Sequence, residues 1–162
     1  GLGHRRIAYV HVASMAPAGP RRQGYLDAMT AVDAEVDIVP IQGADYTEEA
    51  GSAAARILLR RPELPTAVVA GNDQQAVGVI TVLSRAGVSV PGQVSVTGFD
   101  DSRSAQLSSI DLTTARQDPV LMGCAAVEAA VRRIEQPEDT PSTALIEPST
   151  VLRSSTGPAR VD

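Results

Sequence analysis

Two kinds of segment alternate along the chain. Apolar, β-branched runs at Arg6–Val12, Val36–Ile41, Ala67–Ala70 and Val94–Phe99 read as strands. Between them, Arg21–Val32, Thr47–Arg61 and Asp73–Ala86 carry apolar residues at helical spacing. Strands that are apolar throughout are buried on both faces. Their alternation with helices predicts a parallel sheet covered on both sides. The expected fold class is α/β, a doubly wound, mostly parallel sheet.

The helix ends are marked. Thr47 is placed to cap the second helix, with Glu48 and Glu49 in its first turn and Arg56, Arg60 and Arg61 late in it, as the macrodipole favours. Pro62 stops it. Asn72 or Asp73 opens the third helix, and Gly87 follows its end.

After Ser102 the pattern changes. Residues 103–111 are polar and irregular, and Leu112–Ala115 is a short strand. Pro119–Glu135 predicts a helix with Val120, Cys124, Val127, Val131 and Ile134 in one narrow stripe. Such a stripe is expected to dock on its own sheet or on a second copy of the chain. Two short strands, Thr143–Ile146 and Thr150–Leu152, are expected to follow, and Ser154–Asp162 has the composition of a disordered tail.

Composition narrows the function. The 162 residues suit one domain, and 43% hydrophobic with 20% charged residues is a globular mix. No apolar run approaches the roughly 18 residues of a membrane span, and no charged-then-apolar leader is visible. Cys124 stands alone, which excludes an internal disulfide and a zinc site of cysteine pairs. All 14 Lys-or-Arg positions are Arg. That argues against a P-loop NTPase and a Schiff-base enzyme, both of which use Lys. Four rings, Tyr9, Tyr25, Tyr46 and Phe99, are too few to stack single-stranded nucleic acid. A net charge of −5 makes the chain a poor partner for a phosphate backbone.

Asn72, Asp73, Asp100 and Asp101 gather after the predicted strands, at the edge where open parallel sheets bind ligands. Helix capping accounts for Asn72 or Asp73 and for Asp101 or Ser102. It does not account for two acids in succession, so Asp100 is singled out as a ligand contact. Asp73, Asp100 and Asp101 could hold Mg²⁺. A Ser14, His11 and Asp100 triad is possible on paper but lacks the G-x-S-x-G elbow, and there is no G-x-G-x-x-G for a dinucleotide. No catalytic residue, metal or cofactor is expected.

Several segments together resemble one family. They are Leu2-Gly3-His4-Arg5-Arg6-Ile7-Ala8; Arg21-Arg22-Gln23-Gly24-Tyr25; Pro65-Thr66-Ala67 through Asn72-Asp73 to Gly78; Val90-Pro91-Gly92 through Gly98-Phe99-Asp100-Asp101; and Leu112-Thr113-Thr114-Ala115-Arg116-Gln117. In order and spacing they resemble the C-terminal part of the sensor domain of LacI/GalR transcription regulators, of the periplasmic-binding-protein-like type I fold. The resemblance implies an effector-binding C-terminal subdomain over 1–111. A return segment and helix over 112–142 would cross to an N-terminal subdomain absent here. The last strands would lie over 143–153 and a tail over 154–162.

The resemblance also implies a ligand set: Arg21 forking onto hydroxyls or a carboxylate, Tyr46 stacking, Asn72 and Asp100 bonding hydroxyls, and Gln117 on the return segment. The plainer readings are a surface Arg21, a packing Tyr46 and a turn amide at Gln117. The implied function is the effector-sensing part of a cytoplasmic DNA-binding regulator, with a sugar or polyol as effector. It would not be an enzyme and would use no membrane and no cofactor. It would form a homodimer through 73–86 and 103–110, and reach operator DNA only through an N-terminal domain. The alternative is the solute-binding protein of a sugar transporter.

Overall fold

A computed structural model describes residues 1–12, 18–41, 45–140 and 143–160. The strands are β1 (Ile7–Val12), β2 (Asp37–Ile41), β3 (Ala67–Val69), β4 (Ser95–Asp100), β5 (Thr113–Arg116) and β6 (Ser149–Val151). The helices are α1 (Ala18–Ala31), α2 (Glu48–Leu58), α3 (Asp73–Arg85) and α4 (Pro119–Glu135). One sheet runs in the order β2-β1-β3-β4-β5-β6. Its first five strands are parallel, and β6 is antiparallel to β5.

The sheet is covered on both faces, as the unbroken apolar strands predict. On one face, α2 and α3 pack on Ala8, Val10, Val39, Val68 and Val96. On the other, α1 brings Tyr25 and Met29 against Tyr9, with Ile7, Ile38 and Val69 around them. The Tyr25 hydroxyl donates to Ile7 O at 2.7 Å and accepts from Asp37 N at 2.9 Å. A buried phenol needs such partners, and here they tie α1 to β1 and β2.

The helix caps follow the sequence signals. Thr47 accepts from Ala50 N, and Asn72, not Asp73, accepts from Gln75 N. Two glycines let α2 and α3 approach closely. A Cβ on Gly51 would lie 1.9 Å from Gln75 O, and one on Gly78 would lie 2.0 Å from Glu48 O.

Three expectations need correction. Residues 143–146 are not a strand; β6 is the one strand among the described residues after α4. Residues 154–160 are ordered into the fold. Ser155 is 2% exposed. Its Oγ accepts from Thr113 N at 2.8 Å and donates to Val96 O at 2.7 Å. Its carbonyl accepts from Val96 N at 2.9 Å. It thus sits as a wedge between the starts of β4 and β5. Beyond it, Gly157 O bonds to the His4 ring, and Ala159 N donates to Leu2 O.

The third correction concerns one of the two docking places expected for α4, its own sheet, which it does not use. None of its residues is buried, and Val120 and Ile134 are 74% and 80% exposed. Helix α1 packs on one face beside β1, β2 and β3, α2 and α3 pack on the other, and the stripe is buried against neither.

Candidate functional site

The C-terminal ends of the parallel strands make one rim. Arg21, near the start of α1, reaches over it. Its guanidinium lies 4.0 Å from the Phe99 ring centroid and 5.5 Å from that of Tyr46. It donates to Gly71 O at 2.6 Å and stands 3.7 Å from Asp100 Oδ1. Gln117, just past β5, donates to the same Asp100 oxygen at 2.7 Å. Asn72 donates to Tyr46 O at 3.1 Å while its own Oδ1 caps α3.

All five candidate residues, Arg21, Tyr46, Asn72, Asp100 and Gln117, therefore converge. The plain reading of a surface Arg21 is excluded, because its side chain is 21% exposed and held on four sides. Asn72 is a cap and a tie, which leaves one N–H and one lone pair for any further partner. Gly71 makes room for the ring beside it: a Cβ there would lie 2.4 Å from Tyr46 Cε1.

Phe99 was missed by sequence reasoning. It lies three residues after the core Val96, on the opposite face of β4. Its signal was weak, because a ring in an apolar strand reads as core. Here it is the floor under Arg21, where cation–π attraction is worth about 0.5–2 kcal/mol.

The backbone turns sharply at the end of β4. Asp100 has φ 115° and Asp101 has φ 56°, a region that side-chain-bearing residues rarely adopt. Such strain costs on the order of 1–3 kcal/mol per residue and persists where the surroundings over-determine it. The turn sends the two carboxylates apart, Asp100 to Arg21 and Gln117, and Asp101 to Arg116 and Arg153, each at 2.6 Å.

Electrostatics separates the pair further. Burial pushes the Asp100 carboxyl up, and the Gln117 amide and Arg21 offset only part of that. Burial acts in the same sense on Asp101, but the hydrogen bonds and charges of Arg153 and Arg116 outweigh it and hold its carboxyl low.

A Mg²⁺ site is not formed. Asp73 spends its oxygens on Ser102 N at 2.6 Å and Thr114 Oγ1 at 2.5 Å, and Asp101 spends its own on two arginines. Among the described residues no group of three metal-binding side chains exists. Asp73 and Asp101 are structural ties, and neither caps a helix. Ser14 lies outside the described residues, so the paper triad has no nucleophile to place.

Polar capacity remains on the β1 and β2 side. Among the described residues, the His11 Nδ1 and the Tyr46 hydroxyl are buried without a hydrogen-bond partner. Burial, aided by Arg22, lowers the His11 pKa, so the ring is neutral near pH 7. Burial lifts the nearby Tyr9 phenol to about 12. Buried unpaired polar atoms at a rim mark a place for water or ligand.

The profile of the periplasmic-binding-protein-like domain matches residues 1–156. The chain belongs to that family. Its relatives are LacI-family regulators. The HTH-type transcriptional repressor PurR of Glaesserella parasuis is 33% identical over 94% of this chain and 47% of its own length. The HTH-type transcriptional regulator CelR of Thermobifida fusca is 34% identical over 94% and 45%.

Solved structures agree. A LacI transcriptional regulator from a Rhodococcus species superposes with a TM-score of 0.89 at 39% identity, over 98% of this chain and 58% of that one. A LacI family regulator from Enterococcus faecium with bound ribose gives 0.87 at 26%, over 98% and 59%. A dimeric Lac repressor gives 0.88 at 27%, over 98% and 57%. This periplasmic-binding-protein-like domain thus spans about half the length of its relatives. Those relatives are transcriptional regulators. Among the described residues no helix is long and apolar enough to cross a membrane.

Proposed function

We propose that the chain is the effector-sensing part of a LacI-type transcription regulator. The observation that carries this is the rim cluster in which Arg21, stacked on Phe99, faces Asp100 and Gln117. A planar fork of donors beside a carboxylate and an amide suits a ligand rich in hydroxyls, which both donate and accept. The effector is a sugar or polyol, gripped by Arg21, Tyr46, Asn72, Asp100 and Gln117. The ribose held by the Enterococcus faecium relative supports that chemistry. The reading as a transporter's solute-binding protein is not favoured, because the relatives are regulators.

The apolar residues of α4 stand in solvent. Since the relatives are about twice as long, α4 belongs against a second lobe that closes over the rim. The six-stranded sheet with α1, α2 and α3 forms the lobe described here; Leu112 and β5, expected to begin the crossing, lie in its core and sheet, and Ser155 is built into it as well. Effector then acts by differential affinity for the lobe arrangements, since a ligand that binds both equally shifts nothing. The net charge of −5 leaves operator binding to a separate domain. The regulator works in the cytoplasm as a homodimer through α3 and residues 103–110.

The test is calorimetry with a panel of pentoses, hexoses and polyols on a form carrying both lobes, in native, Arg21→Ala and Asp100→Ala versions. Binding by the native form that weakens in both variants is expected. Equal binding in all three would place the effector elsewhere. Sedimentation of the chain at tens of micromolar tests the dimer.

A further inference from the structure

Helix α4 and the segment that follows it form an arm that leaves the sheet at Arg116 and returns at β6. Nothing along α4 is buried. Its root is therefore its firmest tie to the sheet, the helix otherwise facing Ala144 and Ile146. The root is short, because Asp118 already caps α4 by accepting from Leu121 N at 2.9 Å, two residues after the sheet ends. A helix of 17 residues is about 26 Å long, so a small rotation at the root moves its tip by several ångström.

One side chain grips both ends of that root. The Asp101 carboxylate is 3% exposed and takes Arg116 Nε on Oδ2 and Arg153 on Oδ1, both at 2.6 Å. Arg116 is the last residue of β5, where the chain departs. Arg153 lies two residues after β6, where the chain has returned. Arg153 also donates to Leu112 O at 2.7 Å, and its backbone bonds Thr113 Oγ1. The bonding is crossed. Asp100 pairs in register with Arg116, yet the Arg116 side chain goes to Asp101 and that of Gln117 goes to Asp100.

We propose that Asp101 is the positioning residue of the arm: one buried carboxylate locks the outgoing Arg116 to the returning Arg153 and thereby sets the direction in which α4 leaves the domain. Its neighbour Asp100 faces the ligand rim, so a ligand that takes the Asp100 oxygen competes with Gln117, the next residue of the same root. Only this last use of the arm rests on the sensor reading; the lock itself does not. The strained backbone at both aspartates is what turns one carboxylate to the rim and the other to the root.

The native chain carries its own reporter. Cys124 is the sole cysteine and lies exposed on α4. A nitroxide or fluorophore on it reads the arm's nanosecond motion with no ligand present. In Asp101→Asn, well below the melting temperature, the amplitude of local motion should rise about twofold. Asp73→Asn is the control, because Asp73 is as deeply buried but touches neither Arg116 nor Arg153. It should lower the melting temperature and leave the label's motion unchanged. Native-like motion in Asp101→Asn, or equal loosening in Asp73→Asn, overturns the proposal. If Asp101→Asn does not fold, Arg116→Gln replaces it, since that side chain is half exposed. Unchanged motion there overturns the proposal equally. Failure of the calorimetric test with a rigid, Asp101-dependent arm would reject the sensor reading and leave the lock standing.

Discussion

The Arg21 guanidinium lies 4.0 Å from the centroid of Phe99, with its NH1 on Gly71 O. Stacking and a backbone acceptor hold the fork before any ligand arrives. A preorganised donor loses less entropy on binding. Arg21→Lys keeps the charge but loses the plane and the fork. It should weaken effector binding nearly as much as Arg21→Ala, by about 1.5–3 kcal/mol, or roughly 10- to 150-fold. Calorimetry on both variants checks this, and native-like affinity in Arg21→Lys would show that charge alone matters.

Asp100 and Asp101 should respond oppositely to charge removal. The folded pKa of Asp100 is raised, so its ionised form lowers stability at neutral pH. Asp100→Asn should be at least as stable as the native chain at pH 7. The difference should shrink as pH falls through the carboxylate range, where the native Asp100 protonates. The folded pKa of Asp101 is lowered, so its stabilisation is present above the ordinary carboxylate pKa and is lost only as pH falls below it. Asp101→Asn should therefore be less stable than native at pH 7 and remain so at pH 5. Urea unfolding at the two pH values distinguishes the pair.

The α2–α3 contact predicts a cost for the smallest possible side chain. Gly51→Ala and Gly78→Ala each drive a methyl into backbone of the facing helix. Overpacking of this kind costs about 1–3 kcal/mol, and rigid backbone puts these sites at the upper end. Gly24→Ala, in open space, is the comparison and should not destabilise. Thermal melts of the three variants would show whether close approach or helix propensity governs.

Ser155 predicts that the C-terminal residues matter to the fold. Ser155→Ala leaves the buried Thr113 N and one acceptor site of Val96 O unpaired, a loss of about 1–3 kcal/mol. Removing 154–162 should cost more, because the Ser95 hydroxyl and the His4 ring lose Gly157 as well. Amide exchange at Thr113 and Val96 is the direct readout, and unchanged protection after truncation would contradict the wedge.

How much was legible differs residue by residue. The six strands and all four helices were visible because burial on a sheet leaves unbroken apolar runs and helices leave a period, although the same apolar signal read a strand at 143–146 that does not form. Asn72 and Asp100 were visible because polar residues that end a buried strand have few other reasons to be there. Phe99 was not, since an apolar ring beside an apolar strand carries no mark of the cation it supports. Asp73 and Asp101 were read as caps or metal ligands, because an acid's local position does not reveal whether its partner lies 15 or 52 residues away.

The sequence by itself determined the α/β class, the parallel sheet, the rim on which candidate residues lie, and a net negative charge. These follow from local periodicity and composition, which act through nearest neighbours along the chain. Only the tertiary structure decided that Ser155 is a wedge in the sheet, that Gly51 is a helix contact, that Asp101 joins two crossings and that α4 stands away from the core. The first three depend on hydrogen bonds or close approach between distant segments, and the last on their lack along α4. Such contacts are satisfied by common residue types, one pair at a time, and so leave no repeating pattern from which they could be read.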